Sequence, residues 1–417
     1  MKIPAGLKEI LHRMDRKRVA AAEAENAVRE SMTDAGYYRE ISLRYATWQL
    51  IGIVLLAVFL AVSLLTNASM LSGDNLAFFV RDMTASLSLR ESAARDTLVY
   101  ASDEDNRYEL FREGLAVFGK EKLTVFTATG RESYSEYISF ATPRLAASGH
   151  YLAAYDLGGT SYRLYNSFTC VKRGTAEATI RTVTAANDGS YAIVTDDAEY
   201  ATRVTLYNGD HRAINRYRLE QYTVCADLCE DGSRLLLGSF SSQNGRMATH
   251  LMLATPSQNT FDAEWTVTDA YPVAVQLTDD GVMLLSTEFV AWFDLTGREL
   301  SRHTFLSASV QSYRLNEYGC VLSVRADSAR ADVRVLAFDN EGKEVYNIVT
   351  DGAPVDVMLY EETLGVLMSG NLSVYQNGNE TPKFETSLTG DYTSILCCDR
   401  DELVLCGSGK AVLMRVK

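Results

Sequence analysis

Five histidines, seven cysteines and a few acidic clusters are the side chains here best suited to bond-making chemistry. His12, His150, His211, His250 and His303 stand far apart, and no His-x-x-x-His or His-Glu-x-x-His pattern is present to hold a catalytic zinc. The four that follow His12 are read at or beside turns. No Gly-x-Ser-x-Gly elbow presents a serine nucleophile, and no P-loop cradles a phosphate. Cys225-x-x-x-Cys229 and Cys397-Cys398 have the look of a metal or redox pair, but no second cluster completes a zinc site. The other thiols are Cys170, Cys320 and Cys406, so an odd count leaves at least one without an internal partner. Cys320, Cys398 and Cys406 lie in apolar runs and are read as small buried hydrophobes. Asp103-Glu104-Asp105-Asn106, Asp196-Asp197 and Asp279-Asp280 offer the oxygens calcium takes, but not at EF-hand spacing. They are read as solvated turns. Asn371-Leu-Ser373 and Asn379-Glu-Thr381 match the glycosylation sequon. The expectation is no catalytic set, no metal and no cofactor.

What positions these residues begins with an uncharged run. No charged side chain occurs between Arg44 and Asp74, and the core Thr47–Thr66 reads TWQLIGIVLLAVFLAVSLLT. At about 1.5 Å rise per residue such a helix covers roughly 30 Å, the hydrocarbon thickness of a bilayer. Nine Lys and Arg precede it and only Arg81 lies in the twenty residues after it, so the N-terminus is expected in the cytoplasm and residues 67–417 outside. A leader of more than forty residues marks a signal-anchor rather than a cleaved signal peptide. Before the span, Leu7, Ile10, Leu11 and Met14 recur at helical spacing among basic residues, predicting a short basic helical tail. Residues 1–46 carry a net charge of +2 and residues 67–417 a net of −16. An acidic outer domain is repelled by polyanions, which excludes nucleic acid as its expected partner.

The outer residues carry short strand-like runs separated by turn signals at a regular interval. One turn class sits at Glu113-Gly114, Ser148-Gly149, Asp188-Gly189, Asp231-Gly232, Asp280-Gly281, Tyr318-Gly319, Glu361-Glu362 and Arg400-Asp401, with steps of 35 to 49 residues. A second class falls between them, and both average about 41 residues, near the period of a four-stranded propeller blade. The first class has eight members and the second seven, so the last unit lacks an outer strand. Thr97–Ala101, TLVYA, is a spare strand that would pair with Ala411–Val416 and close the ring. The expected fold is all-β, a propeller of about eight four-stranded blades, with seven as the alternative because the units at 143–180 and 351–388 are thin. The expected organisation is a cytoplasmic tail over 1–46, a transmembrane helix over 47–66, a linker over 67–94 and the propeller over 95–417.

Ala291-Trp-Phe-Asp-Leu-Thr-Gly-Arg-Glu-Leu300 and Ala337-Phe-Asp-Asn-Glu-Gly-Lys-Glu-Val345 resemble the blade pattern of quinoprotein-like propellers, in which an aromatic-Asp pair, a two-residue spacer and Gly-Lys/Arg join the third strand to the fourth. The layout of basic tail, single span and outer propeller resembles a bacterial membrane family catalogued as a domain of unknown function. The Trp that follows Gly-Lys in quinoprotein repeats is missing, and so are the Gly-His and Trp-Asp signatures of the WD-repeat class. The resemblance therefore implies the fold and not the quinone cofactor.

The expected function is a membrane-tethered binding or scaffold module for a protein or cell-envelope ligand; a cell-envelope hydrolase or lyase with its site at the channel mouth is the alternative. The repeat register places Arg144, Arg181, Asp227, Gln276, Arg314 and Asp356 on or beside innermost strands, as candidates to line the channel.

Overall fold

The computed structural model describes residues 13–14, 16–21, 35–66 and 97–416, apart from 104, 112–113, 128–129, 167–168, 244, 306–307 and 327–332. The chain divides into two units, Met1–Ala77 and Phe78–Lys417. The expected linker over 67–94 and the tail residues Leu7, Ile10 and Leu11 lie outside the described residues.

In the first unit, residues 13–14 and 16–21 are helical, and a 32-residue helix, α1, runs Ala35–Thr66. Its stretch Arg44–Val62 is long and apolar enough to cross a membrane. Leu55 and Phe59 on it are 64% and 69% exposed.

The second unit is an eight-bladed propeller, each blade a sheet of four antiparallel strands. Blades 1 to 7 span residues 107–137, 143–175, 180–219, 222–268, 272–304, 308–350 and 356–387. Within each, strand order follows chain order from the axis outward. The two units that look thin in sequence are full blades. Second and third strands read as near-continuous apolar runs because both faces of a blade pack on neighbours. Gly281–Ser286 is buried throughout, whereas the outer strand Glu299–Thr304 alternates exposed and half-buried positions. Pro143 and Pro272 each open an innermost strand, where the missing N–H costs no ladder bond. Eight apolar clusters occupy the eight blade-to-blade contacts.

Blade 8 is built from both ends of the chain. Tyr392–Asp399, Glu402–Gly407 and Lys410–Arg415 take Thr97–Val99 as their outer strand, through Thr97↔Val412, Leu98↔Ala411 and Val99↔Lys410. The expected closing strand is present, over three residues rather than five. Tyr100 and Tyr108 each donate a 2.7 Å hydrogen bond to Gly407 O, and Asn106 Nδ2 donates to Ser408 O at 3.0 Å. Leu98 and Tyr100 pack on the cluster that joins blades 8 and 1.

The aromatic-Asp-x-x-Gly pattern has a local cause. Asp294 Oδ1 accepts the N–H groups of Thr296 and Arg298 at 3.0 Å each, and Asp339 Oδ1 accepts those of Glu341 and Lys343. Each carboxylate thus folds a tight turn around itself. Gly297 and Gly342 sit at φ +85° and +82°, in the left-handed region that glycine favours.

Candidate functional site

A cavity of about 1720 Å³ is lined by innermost strands and first-to-second turns of the blades, and reaches outward over Trp292, Phe293, Leu300, Asn340 and Glu341 of blades 5 and 6. Blades 1, 2, 4, 5, 6, 7 and 8 all contribute to its wall. A propeller produces this space geometrically, since eight inner strands cannot all meet at one axis.

All six channel candidates lie on innermost strands, and the structure sorts them into different roles. Gln276 and Arg314 line the cavity. Asp227 ties blade 4 to blade 5: its Oδ2 accepts the Leu277 N–H at 2.7 Å and Gln276 Nε2 at 2.9 Å. Asp356 is a three-blade junction, its Oδ2 accepting Ser394 Oγ at 2.7 Å, the Ile395 N–H at 3.0 Å and an Arg314 guanidinium N–H at 3.2 Å. Arg181 turns to its own blade, forming two bonds to Asp196 at 2.7 and 2.8 Å on exposed surface. Among the described residues Arg144 donates only to Pro143 O, at 3.0 Å, and burial followed by repulsion from Arg107 lowers its pKa. Two neutral stitches do the same work as the carboxylates: the Leu228 N–H donates to Thr184 Oγ1, and Asn316 Nδ2 donates to Leu359 O.

Glu109 was not among the candidates, although a positional signal marks it. Glu109, Arg144, Thr184, Asp227, Gln276 and Arg314 each stand five residues ahead of their blade's turn glycine. Glu109 lines the cavity and, among the described residues, has no hydrogen-bond or ion-pair partner. The residue keeps some accessible surface toward the cavity, while protein atoms crowd its carboxyl group. That burial raises its pKa; Arg314 pulls it down and Asp356 pushes it up. One guanidinium therefore faces two carboxylates.

Charge around the cavity is one-sided. Nine of its described lining residues are Asp or Glu, and Arg314 is the one Lys or Arg. Glu230, Asp231, Asp279 and Asp280 come from the turns of blades 4 and 5, and Asp399 and Glu402 from blade 8. Among the described residues no group of three His, Cys, Asp or Glu side chains converges closely enough to hold a metal ion.

Among the described residues no histidine lines this space. His150 and His211 lie at turns as expected, but His250 and His303 sit within strands, a correction to the turn reading. His250 receives hydrogen bonds or donates them on its blade face, to Ser241 Oγ at 2.8 Å and Thr266 Oγ1 at 3.1 Å. Cys229, Cys397 and Cys398 line the cavity as free thiols. Burial pushes Cys397 up to about 12 and Cys398 up to about 11, so both are protonated and weak nucleophiles at neutral pH. Cys320 and Cys406 are buried as expected, and Cys398 is half-buried.

The profile of one protein family matches residues 90–416, the whole propeller. The chain belongs to DUF5711, a family of unknown function. No curated protein matches this DUF5711 member. Among solved structures it is similar to BamB from Moraxella catarrhalis, with 10% identity, a TM-score of 0.53, and coverage of 78% of this chain and 99% of the other. The computationally designed Ika8 protein gives 9%, 0.56, 76% and 99% for the same quantities, and the C-terminal WD40 domain of Sif2 gives 11%, 0.53, 77% and 99%. Likeness at this level of identity shows the propeller fold and leaves function to the site.

Proposed function

We propose that this DUF5711 member is a membrane-anchored binding module whose propeller holds an acid-lined cavity toward a protein or cell-envelope partner. The acid-lined cavity is the observation that carries the reading: seven blades supply its wall, and Asp227 and Asp356 stitch inner strands of neighbouring blades together behind it. A rigid scaffold presenting charged turns is suited to recognition. Protonated thiols and the absence of histidine from the lining weigh against nucleophilic chemistry there. Helix α1 would supply the anchor, and the excess of Lys and Arg before it favours a cytoplasmic N-terminus with the propeller outside. On this reading the tail, span and linker over 1–94 serve to hold the propeller at the membrane surface.

The test is site-specific photo-crosslinking in cells of origin, with the probe placed at Leu300 and Tyr318 on the cavity and at Val349 on an outer strand. The proposal expects one species crosslinked from both cavity positions and not from Val349. Equal labelling from all three positions, or none from the cavity, would remove it.

A further inference from the structure

Building on that reading, we infer that the cavity receives a basic peptide segment, a run of lysines or arginines from a partner protein, with one cationic side chain reaching Glu109.

Three observations carry this. The first is charge. Nine carboxylates and a single guanidinium surround one concave space, so the field inside it favours cations and repels anions. The second is Glu109 itself. It is a crowded, unpartnered carboxyl on the wall of that space, and the nearby Arg314 is already committed to Asp356 at 3.2 Å. Glu109 therefore lacks a donor, and a cation entering from the mouth supplies one. A charge-assisted hydrogen bond formed there is stronger than one made in water. The third is size and surface. The cavity, about 1720 Å³, exceeds the roughly 300–1,000 Å³ typical of small-molecule pockets. Tyr313, Tyr318 and Tyr360 line it, the last two with ring centroids 4.7 Å apart. Phenol faces attract ammonium and guanidinium groups and accept the aliphatic stems that carry them.

Dispersal of the carboxylates decides between kinds of cation. A metal ion needs several oxygens on one centre, and no such group exists among the described residues. Carboxylates spread from blade 4 round to blade 1 suit a chain carrying several separated charges.

The full-length chain in nanodiscs is titrated into fluorescein-labelled octalysine, with labelled octaglutamate in parallel, and anisotropy is followed at low and at physiological salt. Octalysine should bind, weaken as salt rises, and exceed octaglutamate by a wide margin. Asp279→Asn with Asp280→Asn should weaken binding roughly threefold to tenfold, and Glu109→Gln roughly tenfold or more, because the latter removes an enclosed charge. Glu264→Gln with Glu385→Gln removes two charges from outer strands outside the cavity lining and should leave binding within roughly twofold. The inference is overturned if octalysine does not bind, if the double Asn variant binds as the wild type does, or if the outer-strand variant is weakened equally. The surface Asn pair keeps the test decisive should Glu109→Gln fold poorly. Failure here beside a positive cavity crosslink would remove the basic-peptide assignment and leave the binding module standing.

Discussion

Replacing Asp227 by Asn isolates the cost of keeping a carboxylate beside the propeller axis. Burial pushes Asp227 up to about 7, against an ordinary 3.8, with the backbone N–H groups of Leu277 and Leu228 opposing the rise. Among the described residues no Lys or Arg pairs with it; the groups around it are Gln276 and Leu277 of blade 5 and Cys225 of its own strand. The sign follows from linkage. The folded state holds its proton to higher pH than the unfolded state, so stability declines as pH rises from about 4 to about 7 and then levels. About three pH units at roughly 1.4 kcal/mol each set a ceiling of about 4 kcal/mol. The half-buried side chain keeps some contact with the channel, and screening there brings the expected term to about 1–3 kcal/mol. Asn keeps an oxygen for the Leu277 and Gln276 N–H groups, the Leu228 N–H keeps Thr184 Oγ1, and any remaining cost of the substitution does not vary with pH. Urea unfolding of the full chain at pH 5 and pH 8 reads the difference. His211 and His250, whose pKa values burial lowers, pull stability the other way below about 6.5, and they cancel when variant and wild type are compared. Asp227→Asn should make the stability at pH 5 minus that at pH 8 smaller by about 1–3 kcal/mol. An unchanged difference would refute the claim that Asp227 titrates at the blade 4–5 junction.

Glu136 accepts Tyr134 and Tyr165 at 2.8 Å, Arg173 at 2.9 Å, and Arg163. Its Ala variant leaves two guanidinium groups without that partner and should lower stability by about 2–4 kcal/mol, measured by urea midpoint. Burial raises the Glu136 pKa, but these donors outweigh it and leave the net shift downward, so its stabilising effect should fade only as pH drops below about 4. Leu98→Asp places a charge in the cluster joining blades 8 and 1 and should expose the seam to protease near Thr97–Val99 before the remaining blades are cut. Gly342→Ala sets a Cβ 2.8 Å from the Trp292 ring at φ +82° and should cost about 1–3 kcal/mol, with a change in tryptophan fluorescence as a second readout. Cysteine-specific labelling of intact cells with an impermeant reagent should reach a cysteine placed at Ser69 and spare one placed at Ala5; the reverse pattern would invert the proposed topology.

The fold could be read from the sequence because each of its rules is local. A turn glycine repeats at about 41 residues, an apolar run fills the second and third strands, and a surplus strand at one end matches a deficit at the other. The site was harder to read because its rules cross blades. Asp227 and Asp356 were placed on the right strands, but their bonds to Leu277 and Ile395 depend on how one blade is offset from the next. Arg181 shares their inner-strand position and still turns away to Asp196, since a nearby carboxylate on its own sheet captures it. Glu109 escaped notice in a strand that reads RYELF, where a lone acid resembles a solvated position. Only the closed ring shows that Arg314, whose charge acts on Glu109, is already engaged by Asp356.

Closing the ring with the chain's first strand has a consequence for synthesis. Tyr100 meets Gly407 across a sequence separation of 307. On a ribosome adding roughly 5–20 residues per second, Thr97–Val99 waits tens of seconds for its partner to be made. Blades 1 to 7 each contain all four of their strands in chain order and can assemble as they emerge, whereas blade 8 can form only after the final strand is released. The seam is thus the last step of folding, and its long loop makes it the slow one. A nascent chain stalled before Lys410 carries seven finished blades and two open edges, the species most exposed to pairing with another copy. Completion of the ring therefore waits on Lys410–Arg415 and is read out by three residues, Thr97–Val99.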